Sequence, residues 1–392
     1  MLPLSGVKVL DLSRVLAGPY CCSLLGEMGA EVIKVERPGV GDENRKWGKL
    51  WHGRSLDFMN VNRNKRGITI NLSQAEGQEI VRRLAAGSDV LVESFIPGTL
   101  EKYGLGYETL GPLNPRLVYC SISAFGDRGP LRQKPGYDGS IQAFSGLMDM
   151  TGEADGGPVR SGASVVDMGT GIAAYGAVVT ALMARHATGK GQKVTASLLQ
   201  TALAFLGSHA ASSRMTGYRP ARAGAGVSHV VPYGAFTTRD SHVVTGALNQ
   251  QSWRRLCQVL GCEELCADPR FREIGDRVAN RKALDAILNG VFARRTTEEW
   301  VALFDEAGLV ISPVNTLEQV LAHPQVDANG MMVGVDHACG PLDLVGAPMS
   351  FGQWDSRPRS APPDLGEHTD EILASIGYAA ADIESLKAGG VV

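Results

Sequence analysis

No basic tract runs anywhere in the 392 residues, and Lys plus Arg (38) nearly balance Asp plus Glu (41), giving a formal net charge of −3. Such a chain has no means of neutralising a long row of phosphates, which argues against nucleic acid as its partner. No run of about 18 apolar residues suggests a membrane span. The N-terminus lacks a basic start followed by an apolar segment, so no secretory signal is expected. The seven cysteines (Cys21, Cys22, Cys120, Cys257, Cys262, Cys266 and Cys339) are odd in number and scattered. No secreted-type disulfide framework emerges, and a reducing, cytoplasmic setting is the simpler reading. Cys262 and Cys266 have no neighbouring His or Cys pair to complete a zinc set, so no metal is expected. The dinucleotide fingerprint is missing too, because Ala17-Gly18-Pro19 stands where Gly-x-Gly-x-x-Gly belongs. There is no internal repeat.

What remains is an ordinary globular composition, 44% hydrophobic and 20% charged, with length enough for two domains. The 48 glycines suit tight turns and close backbone approaches to a ligand. Strand-like stretches at residues 7–12, 31–36, 67–72, 89–93 and 117–123 alternate with helix-like ones at 18–28 and 73–86. Ser73 followed by Glu76 reads as a capping box. This rhythm predicts a parallel, doubly wound, Rossmann-like α/β sheet, with ligands gathered at the carboxyl ends of its strands near Arg14, Arg37, Ser73 and Ser94.

From about residue 215 the pattern changes. Short strands at 234–238 and 242–245 flank a hairpin turn at Arg239-Asp240-Ser241, and Arg-rich helices follow. The expected division is a large domain over residues 1–210, a smaller inserted α+β domain over 211–325, and a return to the large domain over 326–392. Residues 357–363 read as an extended arm.

One carboxylate stands out. Asp167 lies in Gly162-Ala-Ser-Val-Val-Asp167-Met-Gly-Thr-Gly171, between a strand-like apolar run and a small-residue turn that opens a helix over about 172–188. A charge among such neighbours is costly unless it is used or paired. The bland alternative is that Asp167 only caps that helix.

Several stretches, in collinear order over essentially the whole chain, resemble the class III coenzyme A transferases, the CaiB–BaiF family. They are Val9-Leu-Asp-Leu-Ser-Arg-Val-Leu-Ala-Gly-Pro19, Gly29-Ala-Glu-Val-Ile-Lys-Val-Glu-Arg-Pro-Gly39 with Gly41-Asp42, Asn62-Arg-Asn-Lys-Arg66 and Val92-Glu-Ser-Phe-Ile-Pro-Gly98. Pro135-Gly-Tyr-Asp138, Asp167-Met-Gly-Thr-Gly171, Thr188-Gly-Lys-Gly191 and Leu365-Gly-Glu-His-Thr-Asp370 complete the set. The resemblance implies that Asp167 is a nucleophile attacking an acyl-CoA thioester, with backbone amides near residues 169–171 as oxyanion donors. It also implies a CoA site in the first domain: Leu16 and Ala17 against the pantetheine and Arg37 toward the phosphates. Ile70, Asn71, Leu72 and Ser73 would lie at the adenine and ribose, and Ser94, Phe95 and Ile96 beside the nucleotide with Lys102 nearby. Gly136, Tyr137 and Asp138 would face the thioester. CoA enters as a substrate, no permanently bound cofactor is implied, and two chains are expected to interlock as a homodimer.

Ser94 and Leu16 replace the Asn and Gln of several family members, which points away from formyl–oxalate specificity. Tyr137 replaces the His of the racemase branch, and a phenol removes the imidazole acid/base that racemisation needs. Val61-Asn-Arg-Asn-Lys-Arg66, Ser228-His-Val-Val-Pro-Tyr233 and Gly246-Ala-Leu-Asn-Gln-Gln251 resemble the dicarboxylate branch. That branch implies succinyl-CoA or another dicarboxylyl-CoA as donor and a short dicarboxylate such as glutarate, itaconate or malate as acceptor. Arg45, Arg160 and His229 are candidate anchors for the distal carboxylate, although Arg160 is equally suited to pair with Asp149 or Glu153. The competing readings are an acyl-CoA isomerase or racemase of the same family and a catalytically silent CoA-binding protein.

Overall fold

The computed structural model describes residues 1–355 and 357–392. Six strands form its main sheet: β1 (Lys8–Asp11), β2 (Glu31–Glu36), β3 (Lys65–Thr69), β4 (Val90–Glu93), β5 (Val118–Ser123) and β6 (Lys193–Ser197). Their spatial order is β3-β2-β1-β4-β5-β6, and every neighbouring pair is parallel. The strand order reverses between β1 and β4, the switch point of a doubly wound sheet. The expected parallel sheet is present.

Strands covered on both faces read as continuous apolar runs, and Val-Leu-Val-Glu of β4 is buried throughout. Alternate side chains of β1 separate the two faces. Leu10 enters an apolar cluster with Ile80, Val81 and Leu84 and with the C-terminal residues Ile372, Leu373 and Ile383. Asp11 points the opposite way, toward helix α1 (Ala17–Glu27), and meets a buried ammonium. Lys65 Nζ donates to Asp11 Oδ2 (2.8 Å), Asn62 Oδ1 (2.9 Å) and the Pro19 carbonyl (2.9 Å). Full hydrogen bonding is what makes a buried ion pair tolerable.

Two expectations are corrected here. Helix α2 (Ala75–Ala86) starts after Gln74 and has no side-chain cap. Ser73 Oγ instead donates to Asn71 Oδ1 (2.6 Å), so a local turn has taken the hydroxyl that the capping box required. Helix α3 spans Asp138–Ser145, and α4, expected from about residue 172, runs over Val165–Thr188. It is followed by β6 and then α5 (Leu198–Thr216). By length and composition α4 is long and apolar enough to cross a membrane; within this fold it packs along α1.

The chain divides into two compact units, one made of Met1–Gln142, Ala163–Phe205 and Pro324–Val392, the other of Ala143–Gly162 and Leu206–His323. The sequence division kept residues 143–162 in the first domain. Long-range bonds put them in the second unit: Gly224 N–H donates to the Gly152 carbonyl (3.0 Å), and Arg222 Nη1 donates to the Asp149 carbonyl (2.9 Å). The second unit holds β7 (Tyr233–Thr237) and β8 (His242–Gly246), paired antiparallel about the foreseen turn. A third strand, β9 (Ile311–Pro313), was not foreseen. Trp253, Phe292, Trp300 and Phe304 centre that unit's own core.

Candidate active site

Four loops leave the carboxyl ends of β1 to β4, and most of the residues assigned to CoA from the sequence lie on or directly after them, whereas Gly136, Tyr137 and Asp138 follow β5 at the start of α3. Leu16 is the half-buried residue before α1 and Ala17 its buried first residue. Arg37 is exposed directly after β2; Ile70, Asn71, Leu72 and Ser73 follow β3. Ser94, Phe95 and Ile96 follow β4, and Lys102 is exposed at the end of the short helix Thr99–Lys102. At the switch point the first and fourth loops meet. Arg14 N–H donates to Ser94 Oγ (2.9 Å), and the Arg14 guanidinium lies over the Phe95 ring (5.2 Å to its centroid). Ile70 is a wholly buried member of the core cluster against which Leu72 and Phe95 pack, so it backs this edge and does not line the adenine and ribose as expected. Glu93, which the sequence reading passed over, accepts from the Phe95 N–H (2.8 Å) and shapes this turn. Burial pushes its carboxyl up to about pKa 7.

A crossover helix that feeds a parallel strand begins at the carboxyl edge, and α4, which feeds β6, brings Asp167 there in its first turn. The strand-forming pair Val165-Val166 is helical because Asp138 caps it from 28 residues away. Asp138 Oδ2 accepts from Val166 N (2.9 Å) and Asp167 N (3.1 Å), while Oδ1 accepts from Gln142 Nε2 (2.5 Å). Tertiary capping of this kind outweighs local propensity.

The same accounting removes the bland alternative and overturns one expectation. Asp167 is not the cap, and its carboxylate has no hydrogen-bond or ion-pair partner among the described residues. Residues 169–171 lie inside α4, where each N–H is directed at the carbonyl four residues back, so they are not oxyanion donors. Left half-buried and unpartnered, Asp167 has its pKa pushed up to about 7, first by loss of solvent and then by the like charge of Asp138. A carboxylate with that pKa is far more basic than an exposed aspartate, yet about half ionised at neutral pH. It is equipped to act as a nucleophile or as a proton acceptor.

The glycines around it serve packing. A Cβ at Gly169 would collide with the ring of Phe205, and one at Gly171 would lie 2.7 Å from the Ala17 carbonyl oxygen. Gly171 therefore lets α4 approach α1 closely, and Leu16 and Met168 pack on one apolar cluster of Tyr20, Leu24 and Val61. Thr170 Oγ1 ties α4 to α5 through Thr201 Oγ1 (2.9 Å). Gly136 sits tightly against Ala124, while Tyr137 is 75% exposed beside the buried Asp138.

The three proposed anchors stand in different settings. Arg45 is bound to Glu36 through Nε and Nη2 (2.7 Å each) and to the Pro363 carbonyl, with its guanidinium over Phe58. Arg160 and His229 are exposed in the second unit, and it is Arg222 that pairs with Asp149 (3.4 Å). Sequence reasoning also missed a buried polar set beneath the first loop, Lys34, Asp42 and Asn44, whose one outward sign was the Gly41-Asp42 pair. No group of three or more His, Cys, Asp or Glu side chains is placed to hold a metal among the described residues.

A family model described as CoA-transferase family III matches residues 4–369. The succinyl-CoA:glutarate CoA-transferase of Mus musculus is 41% identical over 396 residues, covering 100% of this chain and 91% of that protein. The succinate–glutarate CoA-transferase of Agrobacterium fabrum is 36% identical over 382 residues, covering 95% of this chain and 96% of that protein. Among solved structures, a CAIB/BAIF family protein from Brucella suis aligns with a TM-score of 0.86 at 37% identity, over 96% of this chain and 99% of that one.

Proposed function

The chain belongs to CoA-transferase family III, and from that premise we propose that it moves CoA from succinyl-CoA, or another dicarboxylyl-CoA, to a short dicarboxylate through acylation of Asp167. It is an acyl-CoA:carboxylate CoA-transferase; the choice of substrates and the covalent path are our reading. The observation that carries the path is the unpartnered Asp167 carboxylate, raised to a pKa of about 7 at the carboxyl edge of the sheet.

In this reading Asp167 Oδ attacks the thioester carbon, the C–S bond breaks, and a mixed anhydride and CoA thiolate result. The thiolate attacks the Asp167 carbonyl carbon, releasing the donor acid and leaving an aspartyl–CoA thioester. The acceptor carboxylate then displaces the thiolate, giving a second anhydride. Return of the thiolate to the acceptor's acyl carbon yields the new acyl-CoA and regenerates the carboxylate. A fixed nucleophile replaces an encounter of two free substrates with ordered steps at high effective concentration. Desolvation favours the first step, because the anion it penalises disappears on acylation. Arg37 and Lys102 supply cationic charge for the CoA phosphates on the same edge. The chemistry draws on the carboxylate and CoA's own sulfur alone.

The Mus musculus and Agrobacterium fabrum relatives support the dicarboxylate choice. Rates of CoA transfer over a panel of donors and acids test it. Turnover of succinyl-CoA with glutarate, itaconate or malate and none with monocarboxylates is expected; preference for monocarboxylates overturns it. An interlocked homodimer in the cytoplasm completes the proposal. Its support is the apolar surface that α4 and α5 expose at Ile172, Met183 and Leu203, and the seven free cysteines. Sedimentation of the purified protein as a monomer would remove the dimer from it.

A further inference from the structure

Val15 has a φ of +69°. A β-branched side chain adopts this left-handed conformation only when its surroundings force it, and such residues gather at ligand sites. Here the constraint is a buried clamp. The Val15 N–H donates to both carboxylate oxygens of Asp42 (3.1 Å each), and its carbonyl accepts from Asn44 Nδ2 (2.5 Å). Both peptide groups around the strained residue are thus held from the loop that follows β2.

Asp42 is itself firmly placed. It is 2% exposed, and Lys34 Nζ donates to its Oδ2 (3.0 Å) and to the Ser13 carbonyl (2.5 Å). Its Oδ1 accepts from Asn44 N (3.3 Å), and its own N–H donates to Glu36 Oε2 (2.9 Å). Burial works against the Lys34 charge, but Asp11, Asp42 and Glu36 together outweigh it and hold the ammonium ionised. One residue before Val15, the Arg14 N–H is tied to Ser94 across the switch point. One residue after it, the chain reaches Leu16 and enters α1 at Ala17.

We propose that Asp42 is a positioning residue of the acyl-CoA site: by holding Val15 left-handed it sets the direction in which the chain enters α1, and so presents Leu16 and Ala17 to the pantetheine arm. The inference rests on the CoA-transferase reading given above and adds to it a residue that touches no reacting atom. It accounts for the Gly41-Asp42 motif, for the strained valine and for the ammonium buried beneath them with one arrangement. When the clamp is cut, Val15 relaxes to negative φ and the entry to α1 turns away. The pantetheine arm contributes to binding in ground and transition states alike, so the loss falls on KM more than on kcat.

A double-mutant cycle of Asp42→Ala with Val15→Gly tests this, since glycine adopts positive φ without a steric penalty and needs no clamp. The readings are the dissociation constant of CoA by calorimetry, and KM and kcat for succinyl-CoA. In the Val15 background, Asp42→Ala is expected to weaken CoA binding and raise KM about tenfold with a smaller fall in kcat. In the Val15→Gly background the same substitution is expected to cost less than about threefold. Should Asp42→Ala fail to fold because it leaves the buried Lys34 ammonium unpaired, Asp42→Ala combined with Lys34→Met carries the same comparison. Equal costs in the two backgrounds, or undiminished CoA binding by the Asp42 variants, overturn the positioning role alone. Failure of the unsubstituted protein to bind CoA overturns the reading on which it rests.

Discussion

The carboxylate of Asp138 holds the amide of Asp167: one Asp138 oxygen accepts from the Val166 and Asp167 N–H groups at 2.9 and 3.1 Å. The charge that builds the first turn of α4 therefore also sits beside the carboxylate that turn displays. It favours the helix and disfavours ionisation of Asp167, an effect that the proposed acylation of Asp167 would relieve.

The first prediction concerns pH. In the proposed path the attacking species is the Asp167 anion, whose pKa is raised to about 7. Accordingly kcat/KM should rise with pH through an apparent pKa near 7 and level off above it. Asp138→Asn keeps an oxygen for the amides but removes the like charge, so the acid limb should move to lower pH. A pH–rate profile of both proteins checks the direction.

The second concerns stability, and its sign follows from the same shift. An ordinary aspartate titrates at 3.8, whereas folded Asp167 titrates at about 7. Between those values folding takes up a proton, and above them the folded state carries a charge it disfavours. Asp167→Asn should therefore raise the melting temperature at pH about 8 and change it little near pH 4. The difference between the two values corresponds to a ceiling of about 4 kcal/mol, and partial exposure to solvent reduces this to roughly 1–2 kcal/mol. Thermal melts at the two pH values measure it.

The α1–α4 contact gives a third. A Cβ at Gly171 would stand 2.7 Å from the Ala17 carbonyl oxygen and 3.0 Å from Tyr20 Cδ1, neither of which is the free end of a flexible chain. Gly171→Ala should cost about 1–3 kcal/mol in denaturant unfolding and lower activity, because Asp167 and Leu16 are placed by the two helices it would push apart. Gly290→Ala, inside the helix Arg281–Phe292 with open space around it, should instead stabilise by about 0.5–1 kcal/mol.

These relationships show where sequence legibility ended. The β-α-β rhythm could be read because doubly covered strands leave continuous apolar runs, and the glycine-rich segment drew attention to Asp167. Its setting could not be read. Val165-Val166 has strand propensity, and only a carboxylate from 28 residues earlier makes it helical. Ser73 and Glu76 have capping-box spacing, yet Asn71 takes the serine hydroxyl. Arg45 looked like a free cation until Glu36 was seen to hold it. Asp42 and Lys34 look like surface charges eight residues apart and are wholly buried together. One of these contacts joins distant residues and the others near ones, but in each case the partner that takes the hydrogen bond decides the role, and residue pattern alone does not name that partner.

The most direct test of the covalent account is the intact mass of the protein quenched during turnover with succinyl-CoA, followed by peptide mapping. An aspartyl adduct confined to the peptide containing Asp167, and lost with activity in Asp167→Asn, is the predicted result. Continued CoA exchange by Asp167→Asn at the rate of the unsubstituted protein, with no adduct at that position, would contradict it.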